Sequence, residues 1–168
     1  MTLMTKLLSA SAAMALTAGA ALANPAVLFD LGGKFDKSFN ESAYNGAQRW
    51  AEETGGSYDE VEIQSDAQRE QAIRRFAEAC NNPIVMGFSW ATALSEVAAD
   101  YPDTKFQIID MVVDAPNVRS IVFAEEQGSY LVGVAAAMAS ETGTVGFIGG
   151  MDIPLIRNFA CGYVQGVL

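Results

Sequence analysis

The chain contains no histidine. That removes the side chain most often used as general base, metal ligand and neutral-pH switch. Cysteine is almost absent too. Cys80 and Cys161 do not have the spacing of a disulfide scaffold, and they read either as a single pair or as two small buried apolar residues on helices. Basic residues are scarce, 10 against 20 acidic ones for a net charge of −10. Lys6 is the only charge in the first 23 residues, so the remainder is more acidic still. Nucleic acid needs Lys and Arg beside its phosphates, so it is excluded as a partner, as is an anionic membrane surface. A neutral or cationic ligand suits the charge better. Beyond the N-terminal segment no apolar run approaches the ~20 residues that span a bilayer.

The N-terminus carries an export signal. Met1 to Lys6 has one positive charge, Leu7 to Ala20 is apolar and built of small residues, and Ala21-Leu22-Ala23 fits the small-x-small cleavage rule. The mature chain is expected to begin at Asn24. No cysteine follows the cleavage point, so a lipid anchor is not expected.

The rest alternates short β-rich runs with helical patterns. Strands are predicted at Ala26–Asp30, Tyr58–Ile63, Ile84–Gly87, Phe106–Asp110, Ser120–Phe123 and Val145–Gly149. Several are continuous apolar runs, as in parallel sheets covered on both faces. Ser38-x-x-Glu41 and Ser65-x-x-Gln68 have the capping-box pattern that starts a helix. The first helix carries Phe39, Ala43, Ala47, Trp50 and Thr54 on one stripe and stops at Gly55-Gly56. The second carries Ile73, Phe76, Ala77 and Cys80. The third runs from about Ser89 to Asp100, the fourth from Glu125 to Ser140, and the fifth starts near Ile153-Pro154. This order implies an α/β fold with an open parallel sheet and right-handed crossovers. Ligands of such sheets bind outside the carboxyl ends of the strands. Those ends carry Asp30, then Gly87-Phe88-Ser89-Trp90, Asp110, Glu125-Glu126-Gln127 and Gly149-Gly150-Met151-Asp152. The pattern stops at Leu168 within a helical stretch, which reads as a fragment.

The segment Leu31–Ser42, LGGKFDKSFNES, admits three uses. As a phosphate loop it matches neither glycine-rich pattern, and Asp30 and Asp36 would repel the anion. As part of an enzyme, Asp30 and Asp110 would form a carboxylate pair, but no histidine, reactive cysteine or nucleophile elbow accompanies them. An Asp30, Asp110 and Asp152 metal site has no supporting spacing. As a reversible binding surface, Phe39 offers a stacking plane, Asn40 a mixed donor and acceptor, and Asp30 and Asp110 acceptors for paired hydroxyls. A nucleoside needs this set, and the acids would turn away nucleotides. Each residue also has a plainer role open to it. Phe39 fits a core stripe, Asn40 a first-turn backbone bond, Asp110 a cap, Lys34, Asp36 and Lys37 solvated loop charges, and Trp90 a partly buried packing position.

The runs FDLGGKFDKSFNESAYNGAQRW, KFQIID, FAEEQGSYLVGVAAAMAS and VGFIGGMDIPLIRNFACGYVQG resemble the basic membrane protein family of ABC-transporter substrate-binding proteins, which includes purine nucleoside receptors. The resemblance covers Ala26 to the last residue. It implies a type I periplasmic-binding-protein fold, with two α/β lobes hinged around a buried ligand. By that resemblance residues 1–23 are the signal peptide, 24–124 a complete N-terminal lobe, and 125–168 the start of a truncated second lobe. The resemblance implies that Phe39 stacks on the purine and that Asp30 meets the base edge with Asn40 beside it. It also implies that Asp110 takes the ribose hydroxyls, and that Gly150 and Met151 line the mouth of the second lobe. Gly87 and Phe88 fall on the same rim. It implies no cofactor, no catalysis, a transporter permease as partner and a periplasmic location; the alternatives are the same fold holding another aromatic heterocycle such as a flavin, a sensor, or a nucleoside-cleaving enzyme. With much of the second lobe missing, tight binding by these residues alone is not expected. A Cys80–Cys161 disulfide would lock the lobes together, against closure on ligand.

Overall fold

In the computed structural model, residues 23–168 are described, and all but the last residue of the expected signal peptide, 1–23, lies outside them. Chain order is β1 (Pro25–Phe29), α1 (Phe39–Thr54), β2 (Asp59–Glu62), α2 (Arg69–Glu78), β3 (Asn82–Met86), α3 (Ala91–Asp100), β4 (Phe106–Ile109), β5 (Val118–Ile121), α4 (Glu125–Ala139) and α5 (Pro154–Val167). Short 3-10 turns, Asp66–Gln68 and Phe88–Trp90, lead into α2 and α3. The five strands form one sheet in the order β2-β1-β3-β4-β5, every neighbouring pair parallel.

Alternation within the central strands divides the sheet into two faces. Leu28, Val85 and Ile108 point to one face and meet Ile73 and Phe76 of α2 and Leu94 and Val97 of α3. Val27, Phe29 and Met86 point to the other and meet Phe39, Ala43 and Ala47 of α1. The first face holds the larger core, including Trp90 at 0% exposure, so Trp90 is fully buried rather than partly. Each such large apolar side chain contributes about 1.5–3 kcal/mol on burial.

Strand order runs outward from the β1/β3 pair: the chain steps from β1 to β2 on one side and from β3 to β4 and β5 on the other. Such a switch point leaves a crevice at the carboxyl ends of the two strands. Asp30 follows β1 and Gly87 follows β3, so both stand at this crevice.

After β5 the chain leaves the sheet, and α4 and α5 pack against each other. Their approach is close because glycine faces backbone. A Cβ on Gly162 would lie 2.1 Å from the Glu126 carbonyl oxygen, and one on Gly166 would lie 2.0 Å from that of Tyr130. The Ser129 hydroxyl donates to the Phe159 carbonyl at 2.6 Å across the same seam.

Several expectations are corrected. Val145–Gly149 forms no strand: among the described residues no neighbour pairs with it, and a single strand leaves its backbone donors and acceptors unmet. Ile148 is 99% exposed in consequence. β5 begins at Val118 rather than Ser120. Both cysteines are free and exposed, not buried and not paired. Cys80 lies past the end of α2 with a left-handed φ of 59°.

Gly162→Ala is expected to loosen the α4–α5 seam by about 1–3 kcal/mol, the usual cost of overpacking. Gly46→Ala is the control, since a Cβ there meets nothing within 4 Å; it should be neutral or stabilising by up to ~1 kcal/mol. Urea midpoints of the two variants check this.

Candidate ligand cleft

The loop between β1 and α1 is tied from inside. Asn40, 2% exposed, donates its amide to the carbonyls of Asp30 and Gly33, each at 3.2 Å. Its own oxygen accepts the Asp30 N–H at 3.3 Å. Asn40 therefore shapes the loop, and its side chain is committed there rather than to a ligand. Asp36 caps α1 in place of Ser38, whose side chain makes no capping bond. The Asp36 carboxylate accepts from the backbone of Ser38 at 2.8 Å, Asn40 at 3.1 Å and Glu41 at 3.1 Å. Burial pushes this carboxyl up, but the three N–H bonds outweigh it and hold it below the usual carboxylate range. Asp36 is thus a structural anion at a helix N-terminus, not a solvated loop charge.

Lys34 is also anchored. Its ammonium pairs with Glu60 and lies 5.1 Å from the Tyr44 ring centre, while its N–H donates to Glu62 at 3.0 Å. Gly33, with φ 75°, lies so close to Glu62 that a Cβ would fall 2.6 Å from its Oε2. The loop needs a residue without a side chain there.

The first strand ends on an occupied carboxylate. Asp30 Oδ1 accepts from Arg69 at 2.6 Å, and Oδ2 accepts from the Ser89 hydroxyl. Arg69 also bonds Asp66 at 2.7 Å and lies 5.7 Å from the Trp90 ring centre. Sequence reasoning misses Arg69 and Ser89 as partners of Asp30, because separations of 39 and 59 residues leave no local pattern. Gly87 sits between Asp30 and Phe39: a Cβ there would lie 3.6 Å from Phe39 Cε1 and 3.7 Å from Asp30 Oδ2.

A cavity of about 740 Å³ opens between the sheet rim and the α4–α5 pair, within the ~300–1,000 Å³ of small-molecule sites. Phe39 and Asp110 line it from the rim, and Glu125, Phe147 and Tyr163 line it from beyond β5. Among the described residues no Lys or Arg lines it. Asp110 stands there on a left-handed backbone, φ 74°, a conformation that Asp tolerates better than most side chains. Burial first, then the neighbouring Glu125 carboxylate, pushes its carboxyl above the ordinary value. The structure thus brings Phe39 and Asp110 together, with Gly87 and Asp30 adjoining. Phe88 is half-buried in the turn before α3 and does not line the cavity. Gly150 and Met151 do not line it either; Gly146, Phe147 and Ile148 take that place, because the 145–149 segment runs unpaired.

An aromatic and acidic crevice at the switch point of a parallel sheet, with a second helical layer beyond it, is the arrangement of type I periplasmic-binding folds. A solute-binding protein of an ABC transporter system from Aeropyrum pernix superposes with a TM-score of 0.75 at 36% identity, over 86% of this chain and 42% of that one. The chain belongs to the Bmp family, described as ABC transporter substrate-binding protein PnrA-like, whose model matches residues 23–168. It is 41% identical to an uncharacterized lipoprotein of Pyrococcus furiosus, over 84% of this chain and 37% of that protein. It is 39% identical to the ABC transporter nucleoside-binding protein BmpA of Lactococcus lactis, over 84% of this chain and 42% of that protein. The chain therefore spans about two-fifths of the length of these relatives. Members of the family are substrate-binding proteins.

Two variants probe this site. Asn40→Ala leaves buried loop carbonyls without a donor and should cost about 1–3 kcal/mol, read as a lower denaturation midpoint. Asp110→Asn should do the reverse at neutral pH. A carboxyl raised by folding destabilises the fold as pH climbs above its ordinary value of 3.8. The amide escapes that loss, so its melting temperature should exceed wild type at neutral pH and converge with it as pH falls through 3.8.

Proposed function

We propose that the protein is the extracytoplasmic receptor of an ABC importer and binds a purine nucleoside in a hinged cleft. The observation that carries this reading is the composition of the cavity: an aromatic plane at Phe39, carboxylate acceptors at Asp110 and Glu125, and no basic side chain among the described lining residues. A flat neutral heterocycle stacks on such a ring, and its attached hydroxyls donate to such acids. A phosphate would be repelled, so a nucleotide is disfavoured. The nucleoside-binding name of the Lactococcus relative supports the same ligand class.

In this reading residues 24–124 form the N-terminal lobe and 125–168 the opening of the second. The exposed apolar side chains Leu131, Met138 and Ile148 then belong under strands and helices of that lobe, for which the relatives have the length. Phe39, Asp110 and Gly87 face the ligand. Asp30 sits behind them, held by Arg69 and Ser89, and Asn40 keeps the loop in shape. No residue of this set needs to react, so the protein releases its ligand unchanged to a membrane permease. In this reading the receptor works outside the cytoplasmic membrane, beside its transporter.

Calorimetric titration of guanosine and inosine into the protein, expressed from its complete reading frame, tests the reading. Micromolar or tighter binding is expected, with no heat from GMP. Phe39→Ala should weaken it about tenfold or more, the scale of one base–aromatic stack. Absence of heat with every nucleoside would sink the ligand assignment and leave the family intact.

A further inference from the structure

The expected processing point, between Ala23 and Asn24, adjoins β1, which begins at Pro25. Carbonyls on both sides of that bond are engaged. The Ala23 carbonyl accepts the Asn82 side-chain amide at 3.3 Å. The Asn24 carbonyl accepts the Asn82 N–H at 2.9 Å and the Asn81 side-chain amide at 3.2 Å. Both asparagines are fixed in turn. Asn81, 7% exposed, also donates to Asp59 of β2 at 2.8 Å. The Asn82 side-chain oxygen accepts the Lys105 N–H at 3.3 Å, just before β4. The junction is therefore held from the entries of β2, β3 and β4 together. Asn24 itself is exposed, so the hold lies in backbone pairing rather than in burial.

Pro25 tightens it. It stands opposite Asn82 in the β1–β3 register, and it keeps Asn24 extended. Asn24 is the only residue between the bond and the strand, which leaves no slack. β1 lies inside the sheet, between β2 and β3, and an inner strand is released only when a large part of the fold opens. A peptidase needs an extended segment whose backbone groups can pair with the enzyme. Here those groups are already spent.

We infer that the fold closes the Ala23–Asn24 bond to processing, with Asn81 and Asn82 as the clasp, so that the leader is removed only before β1 pairs with β3. This rests on the export-signal reading of residues 1–23 and is independent of the nucleoside reading. The step is hydrolysis of one amide: water adds across it, leaving a carboxylate on Ala23 and an ammonium on Asn24. A chain processed first loses its leader, and a chain that folds first keeps it. The order of folding and processing then decides which N-terminus the protein carries.

The test presents the precursor, expressed from its complete reading frame, to purified signal peptidase in detergent micelles. It is added either folded or as it is diluted out of urea, and intact mass with N-terminal sequencing reads the product. The urea-diluted precursor should be cut between Ala23 and Asn24. The folded precursor should be cut about a hundredfold more slowly or less, because cleavage then waits on opening. A Gly-Ser-Gly-Ser insertion between Asn24 and Pro25 leaves Ala21-Leu22-Ala23-Asn24 intact but frees it from the sheet, and should make both states equally cleavable. Asn82→Asp keeps an oxygen for Lys105 and removes the amide donor; it should speed cleavage of the folded form about fivefold, one hydrogen bond's worth, and leave the urea-diluted rate unchanged. A folded precursor cut as fast as the urea-diluted one overturns the inference. So does an insertion variant that still resists when folded, or an Asn82→Asp variant whose folded rate does not move. If neither state is cut at this bond, the export-signal reading falls and this inference falls with it, while the ligand assignment stands.

Discussion

The rim of this molecule depends on one buried amide. Asn40 closes a ring of hydrogen bonds with Asp30 and Gly33, and that ring fixes where the chain turns from β1 into α1. Because Asp36 then caps the helix through three backbone N–H groups, the first helical residue is placed as tightly as the strand is. That residue is Phe39. Its ring rests on the Val27, Phe29 and Met86 cluster and still lines the cavity, so the ring is part of the core rather than a loop side chain. A ligand that meets it encounters a surface already ordered, and little entropy is lost in forming the site.

The same device recurs away from the cleft. Asn117 donates its amide to Ala98 and Tyr101 at 3.0 Å and Thr104 at 3.2 Å, gathering the turn between α3 and β4. Asn81 ties the start of β3 to Asn24 and Asp59. In a parallel sheet each connection must cross from one end of the strands to the other, and its turns hold backbone groups that neither helix nor ladder satisfies. A short side chain with two donors and one acceptor meets several at once.

The sheet was legible because its information is local. Continuous apolar runs, helical stripes and stop signals place β1 to β4 and α1 to α5 within a few residues, and the parallel order follows from alternation. The resemblance carried by FDLGGKFDKSFNES and its companion runs supplied the family. The polar wiring was not legible. Ser38-x-x-Glu41 has the capping-box pattern, yet Asp36 takes the role, since an aspartate two residues earlier fits the same donors and spacing alone does not rank them. Arg69 and Ser89 reach Asp30 across the sheet edge, a contact that depends on strand order. Val145–Gly149 has the composition of a strand but lacks a neighbour, and strand identity belongs to the pair rather than to the segment.

Charge gives the last step. The chain is strongly acidic, yet the acids at the rim are divided by function. Asp30, Asp36 and Glu60 are neutralised by Arg69, by backbone donors and by Lys34, and they hold the scaffold. Asp110 and the free oxygen of Glu125 have no such partner among the described residues. An acid that is paired stabilises the fold where it stands; an acid left unpaired in a desolvated cleft destabilises the empty state.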